Sequence, residues 1–371
     1  MQCLHHSLVF SVVRSPVEEI HHTLMHSSSA LSAATEHKNV AISDFISCHC
    51  YAVCMLQITM YTGFVNCGSF HLVVSTLQRF ELVYYYGWTV QMPMEDQLLV
   101  TLMKLRLNVP MLDLAVRFGV SRTTVANIFT TLICALHDVF FKQCMKSVPS
   151  KQKTVASLPD CFSIFPSCRQ IFDCTEIAIE VPRQDMTANR MTYSSYKSKN
   201  TFKALISVSP NGAIVFCSDL FTGNTSDKEI VVQSGILNTL EVGDLVLADK
   251  GFLIHDVLPP GVTVNLPSFL PSDSRQFSRE QVVQSRAISR ARIHVERAIQ
   301  RVKEFNMLDN IEHHQRNLAN RIFQVAVSLV NLQAPIIANT PRRHTPWVKC
   351  LQYFWLYSYF FDWSVQDRLL C

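Results

Sequence analysis

Three acidic residues sit where acids can do chemistry: Asp173 in Ile-Phe-Asp-Cys-Thr-Glu, Asp249 in Leu-Ala-Asp-Lys-Gly-Phe and Glu296 in His-Val-Glu-Arg-Ala-Ile. The first two each close an apolar β-like run, and α/β sheets expose their working groups at the carboxyl ends of strands. Residues far apart in sequence then meet side by side. Glu296 follows Val295 on a helical segment, about 100° round from it, so one helix can seal a core and still deliver a carboxylate. Carboxylates without partner cysteines suit hard divalent cations, Mg2+ or Mn2+. Such ions in pairs activate water and stabilise the leaving oxygen of a phosphodiester. Glu176, three residues after Asp173, faces the other side of a strand and stays outside this set. Asp219 and Asp256 read as surface or turn acids, and Lys250 as a charged turn residue.

A polyanionic substrate needs positive surroundings, and two segments supply them. Between Arg279 and Lys303 seven basic residues, Arg292 and Arg297 among them, face only two acids. The second segment interleaves Arg183, Arg190, Lys197, Lys199 and Lys203 with Tyr193 and Tyr196, a mixture that holds phosphates and stacks on bases. A solvated basic loop is the alternative reading of that stretch.

The elements that must carry these residues follow from periodicity and caps. Leu98, Leu99, Leu102, Met103, Leu105 and Leu107 recur at largely helical spacing after Pro93, a favourable helix opener. Pro110 opens a short helix over Met111–Phe118, Gly119 supplies a turn, and Ser121 caps a third helix over Arg122–Leu136. Helix, tight turn, capped helix is a helix-turn-helix. Arg122, Thr123, Thr124 and Asn127 lie at its exposed opening, where major-groove readers carry base contacts. Plain helical packing is the alternative.

Met145–Pro166, with three prolines, three lysines and several serines, reads as a linker. Beyond it come strand-like Arg169–Cys174, Phe202–Ser209 and Ala213–Leu220, a helix near Asp227–Leu240, then strand-like Leu245–Ala248 and Val262–Leu266. A long helix over Ser278–Phe305 aligns Ile288, Ala291, Val295, Ala298, Val302 and Phe305 on one stripe, and an apolar helix Leu318–Leu332 follows. The order indicates a mixed α/β sheet domain behind an all-α domain. The expected division is an irregular leader at 1–40, a helical region at 41–144 with the helix-turn-helix at about 94–140, and a linker at 145–166. A nuclease-type domain at 167–335 and an aromatic tail at 336–371 complete it.

Composition narrows the class. A chain of 371 residues that is 48% hydrophobic buries a sizeable core, which excludes a disordered protein. A net charge of +4 is too small to name nucleic acid as the partner by itself, so that inference rests on local clustering. Thirteen scattered cysteines, an odd number, read as reduced thiols in an intracellular compartment. Cys48, Cys50 and Cys54 lie in an uncharged apolar stretch that fits buried thiols better than zinc. Phe45–Val65 is long enough to span a membrane, but its Ser, His, Gln and Thr residues favour a buried helix pair. The N-terminus lacks the pattern of a secretory signal, and no membrane partner is expected.

Five motifs in order, Ile-Phe-Asp-Cys-Thr-Glu, Tyr-Ser-Ser-Tyr-Lys-Ser-Lys-Asn-Thr-Phe-Lys, Gly-Asn-Thr-Ser-Asp-Lys, Ala-Asp-Lys-Gly-Phe and Val-Glu-Arg-Ala-Ile, carry a family resemblance. They resemble the DDE superfamily endonucleases of Harbinger-type and related insertion-sequence-like DNA transposons, over about Cys168–Pro335. Met94–Phe140 is similar to the helix-turn-helix that precedes the nuclease in that group. The resemblance implies an RNase H-like fold, metal-dependent cleavage of double-stranded DNA and strand transfer. Asp173, Asp249 and Glu296 match its triad position by position. Asp227 matches a further recurrent acid, an auxiliary metal ligand, with helix capping as the alternative role. A nuclear location, a Myb-like helper protein and a homo-oligomer are implied as well. The chain lacks the Cys/His DNA-binding module of longer members. A DNA-binding protein that retains the fold without turnover is the rival expectation.

Overall fold

A computed structural model describes residues 51–145, 147–267, 276 and 278–337. The leader at 1–40, Cys48 and Cys50, and all but the first two residues of the aromatic tail lie outside the described residues. The chain divides into two compact units between Leu136 and His137.

The first unit is helical. Helices α1 (Tyr51–Thr62) and α2 (Cys67–Leu77) replace the single span allowed by composition, broken at Gly63, whose φ of 78° is left-handed. Asn66 caps α2 by accepting from the Ser69 amide at 2.8 Å. Among the described residues α1 covers twelve positions and α2 eleven, on either side of that break.

Helix α3 (Met94–Leu107) starts after Pro93 and ends on Asn108, which takes the left-handed conformation at φ 54°. It buries Leu98, Leu99, Leu102, Met103 and Leu105, each side chain contributing about 1.5–3 kcal/mol by leaving water. Helix α4 (Met111–Arg117), a turn with Gly119 at φ 64°, and α5 (Arg122–Leu136) complete the helix-turn-helix. Ser121 Oγ accepts from the Thr124 amide at 3.0 Å, which fixes where α5 begins.

The second unit opens on a helical turn at His137–Phe141, and a structured stretch then stands where a linker was expected at 145–166. Ser150 caps α6 (Lys151–Ala156), and a 3-10 turn at Asp160–Phe162 follows Pro159, burying Thr154 and Phe162. The serine and proline that look like linker composition act here as caps and helix openers.

The sheet consists of β1 (Cys168–Ala178), β2 (Tyr193–Ser194), β3 (Lys199–Val208), β4 (Ile214–Cys217), β5 (Phe221–Thr222), β6 (Leu245–Leu247) and β7 (Thr263–Asn265). Its order is β2-β3-β1-β6-β7, with β4 and β5 also pairing to β3. β1 runs antiparallel to β3 and parallel to β6, and β6 runs parallel to β7. This mixed sheet behind a helix-turn-helix is the RNase H-like α/β class expected.

β1 is longer than its apolar run. Pairing with β3 continues to Ala178 opposite Thr201, so Asp173 lies in mid-strand, opposite Ile206, and not at a strand end. The expected helix at Asp227–Leu240 is a short helix, α7 (Asp227–Gln233), followed by a 3-10 turn at Ile236–Thr239, because Gly235 at φ 79° breaks it. One core cluster joins Phe172 and Leu205 of the sheet to Ile230, Val231 and Ile236.

Helix α8 (Arg279–Lys303) packs on β1, β3 and β6. Ser278 and Gln281 form a reciprocal capping box at its start. Its stripe from Ile288 through Ala291, Val295, Ala298 and Val302 to Phe305 is fully buried. Helix α9 (Ala319–Val330) is the apolar helix anticipated at 318–332.

Candidate active site

β1 and β6 run in parallel register with Ile171 opposite Leu247. Continuing that register by two residues sets Asp249 alongside Asp173, just past the point where β6 ends and β1 goes on with β3 alone. Asp249 heads a turn in which the Phe252 amide donates to its carbonyl at 2.9 Å, and its side chain stays open to solvent.

Helix α8 supplies the third acid and a cation. Glu296 points outward next to buried Val295. One turn earlier, the buried Arg292 reaches both acids: Nη1 donates to Asp249 Oδ1 at 2.9 Å, and Nη2 lies 3.8 Å from Glu296 Oε1. The i, i+4 spacing on a helix makes the second pairing geometrically natural.

Asp173 belongs to the same electrostatic cluster. Burial is the main force lifting its pKa to about 6. Arg292 opposes this lift, as does a hydrogen bond from the backbone at Cys174, while the negative charges of Asp249 and Glu296 add to it. Arg292 thus pairs with Asp249 and Glu296, and its charge also acts on Asp173. Among the described residues no three His, Cys, Asp or Glu side chains are arranged so that they could hold a metal ion together. The donor chemistry nonetheless fits a hard divalent cation: carboxylate oxygens, one of them desolvated, beside a spot where positive charge already resides.

Asp227 does not join the cluster. Successive side chains of a strand point to opposite faces, and Asp227 lies against Cys174 and Lys203, across β1 from Asp173. It sits in the first turn of α7, whose cap is Ser226, and pairs with Lys203 at 2.6 Å. Lys203 is correspondingly withdrawn from the expected DNA-binding set. Its amine also donates to the Thr225 carbonyl at 3.3 Å. Burial acts against its charge, yet the Asp227 carboxylate outweighs this and raises its pKa. Glu176 accepts from Thr201 Oγ1 at 2.7 Å and stays apart from the three acids.

The other expected DNA contacts divide. Lys197 lies in the exposed turn between β2 and β3, with its Nζ 4.6 Å from the centre of the Tyr196 ring, and Lys199 is the exposed first residue of β3. Arg297 is exposed on α8, whereas Arg292 is committed to the acids. In the first unit Arg122 and Thr123 are exposed, and the Thr124 hydroxyl lies 2.9 Å from Ser121 Oγ. Asn127 is fully buried, contrary to its expected place on the reading surface. Its Oδ1 accepts from the Tyr86 amide at 3.0 Å, and its Nδ2 donates to the Trp88 carbonyl at 3.1 Å.

Two features escaped sequence reasoning. One is the bridging role of Arg292, and the other is Lys303, which shares an electrostatic environment with Asp173. Lys303 remains solvent-accessible, yet surrounding protein atoms, then the charges of Lys197 and Lys199, lower its pKa against the pull of Asp173 and Glu176. Spacing held the signal: four residues before Glu296 and seven after it fall on the same helical face.

Comparison with known families places both units. The family model described as DDE superfamily endonuclease matches residues 172–331, and the one described as helix-turn-helix of DDE superfamily endonuclease matches residues 90–142. No curated protein and no solved structure matches the chain.

Proposed function

Because the chain belongs to the DDE superfamily endonucleases, we propose that it is a transposase-derived nuclease acting on double-stranded DNA, with Asp173, Asp249 and Glu296 as its catalytic acids. The observation that carries this reading is the pairing of Asp249 and Glu296 with Arg292, on a turn that the strand register sets beside Asp173.

The three acids would hold Mg2+ or Mn2+, which when bound supplies water activation and stabilisation of the leaving oxygen. The chain's own residues do the rest. Arg292 holds Asp249 and Glu296 in fixed orientation, and the burial of Val295 keeps α8 from rolling. Lys197, Lys199, Arg297 and Lys303 offset phosphate charge along the approach. Arg122 and Thr123 open the helix that would enter the major groove. The reaction is hydrolysis of one phosphodiester, then attack of the freed 3′-hydroxyl on a second strand. Such a protein works in the nucleus.

The test incubates the full chain with duplex DNA carrying candidate terminal inverted repeats, with Mn2+ or with chelator. Nicking that requires Mn2+ and disappears in Asp249→Asn supports the enzyme. Salt-sensitive binding with no nicking under any of these conditions favours a DNA-binding protein that has kept only the fold.

A further inference from the structure

The buried Asn127 leads to a surface that the nuclease reading leaves unused. Residues Val83 to Trp88 form a loop before α3 that exposes Val83, Tyr85, Tyr86 and Trp88 at 56%, 65%, 50% and 41%. Such a concentration of solvent-facing aromatic surface normally marks a binding site. The loop is also held in shape. A turn brings the Gly87 amide to the Tyr84 carbonyl at 2.9 Å, with Gly87 at φ 76°. The Tyr84 hydroxyl donates to Gln97 Oε1 at 2.9 Å.

The remaining anchors come from α5. The Tyr85 amide donates to Thr131 Oγ1 at 2.9 Å, and Asn127 holds both the Tyr86 amide and the Trp88 carbonyl. Thr123, Asn127 and Thr131 are spaced four apart, so they share one face of α5 at steps of about 6 Å. Thr123 is the exposed member of that face, and the loop covers the next two. The loop therefore continues the surface opened by Arg122 and Thr123, in the place where Asn127 was expected to read DNA.

We propose that the Tyr85-Tyr86-Gly87-Trp88 loop is a second, uncharged DNA contact, a wing beside the helix-turn-helix. The tyrosine hydroxyls donate to phosphate oxygens bordering the groove that α5 enters, and Trp88 packs on deoxyribose. Charge sets the kind of contact: no Lys, Arg or His occurs between Arg79 and Lys104, so this surface grips the duplex without ion pairing. Side-chain hydroxyls, tyrosine included, commonly make such positioning contacts to phosphate. The proposal rests on the DNA-binding role of the helix-turn-helix.

The experiment uses the full chain in chelator, a fluorescein-labelled 30-base-pair duplex of mixed sequence, and anisotropy across a KCl series. Tyr85→Phe with Tyr86→Phe, and separately Trp88→Ser, are expected to weaken binding by roughly 3- to 10-fold. Neither change alters the slope of log affinity against log salt, because no counterion-releasing charge is lost. Arg122→Ala is expected to flatten that slope by about 0.9. The Phe variant keeps both rings, so its unfolding midpoint should equal that of the unsubstituted protein. Unchanged affinity in the loop variants, with Arg122→Ala still weakened, overturns the wing and leaves the helix-turn-helix reading intact. An inert Arg122→Ala removes that reading instead. A shift in light-scattering mass with unchanged DNA affinity assigns the loop to self-association and overturns the proposal as well.

Discussion

Substituting Asp173 by Asn should make the metal-free protein more stable at neutral pH, by an amount set by the burial of its carboxylate. The ordinary value of 3.8 is lifted to about 6 in the folded chain. The native state therefore holds this proton more tightly than the unfolded state does. Stability then falls as pH rises through that window, the reverse of the usual carboxylate case. Converting the pKa difference gives a penalty of about 3 kcal/mol that is complete above about pH 7, about 1.6 kcal/mol at pH 5, about 0.6 kcal/mol at pH 4 and nearly absent at pH 3. Asparagine has nearly the same shape and never carries the charge. Urea unfolding in chelator, followed by far-ultraviolet circular dichroism, should show the two proteins converging near pH 3. The variant should lead by about 3 kcal/mol at pH 8. Saturating Mn2+ at pH 8 should stabilise the unsubstituted protein by about 2.7 kcal/mol at 100 times its Kd, and the variant far less. An offset independent of pH, or a variant less stable at pH 8, refutes the reasoning.

Two other sites give separate tests of the fold. Arg169 and Asp244 are both buried, with Arg169 Nε 3.5 Å from Asp244 Oδ2, so Arg169→Met leaves a buried carboxylate with Lys151 at 3.4 Å and the Glu241 amide, which donates to Oδ2 at 2.9 Å. The expected loss is about 3 kcal/mol in urea unfolding, with Arg169→Met plus Asp244→Leu costing less than the single change. At Gly223 an added Cβ would come within 2.6 Å of the Thr192 carbonyl and 2.8 Å of the Thr201 carbonyl, both backbone atoms. Gly223→Ala should cost about 3 kcal/mol, read as a lowered melting temperature.

The sequence was most legible where a local rule acts alone. Pro93, Pro110 and Ser121 fix three helix starts, and the α8 stripe needs only its own period. Legibility failed where a residue's role is set by a distant partner. Asn127 resembles a reading residue until Tyr86 and Trp88, about forty positions earlier, are found on its amide. Lys203 resembles a phosphate contact until Asp227 is found beside it. The second half of β1 was hidden because Asp-Cys-Thr-Glu breaks the apolar run. Its pairing with β3, and not its own hydropathy, keeps it extended. In the candidate site the acids could be named from motifs, whereas Arg292 as the partner of Asp249 and Glu296 required the turn of α8 to be laid against β6.

Charge balance at that site constrains the order of events on the proposed reading. Asp173, Asp249 and Glu296 carry three formal negative charges when ionised, and Arg292 returns one positive charge, leaving two uncompensated. A phosphodiester brought to such a site meets repulsion that the partly buried setting of Asp173 leaves poorly screened. One divalent cation removes the excess, and a second makes the site attractive to phosphate. Lys197, Lys199, Arg297 and Lys303 lie outside the acids and draw DNA to the surface whether or not the cation is bound. Non-specific binding should therefore survive chelation, while close approach of the scissile phosphate should require the cation first. Because Arg292, Val295, Glu296 and Lys303 share one capped helix, a change that tilts α8 moves the cation partner, the catalytic acid and the phosphate contact together. Packing substitutions along the stripe from Ile288 to Val302 should accordingly impair cleavage before they unfold the protein.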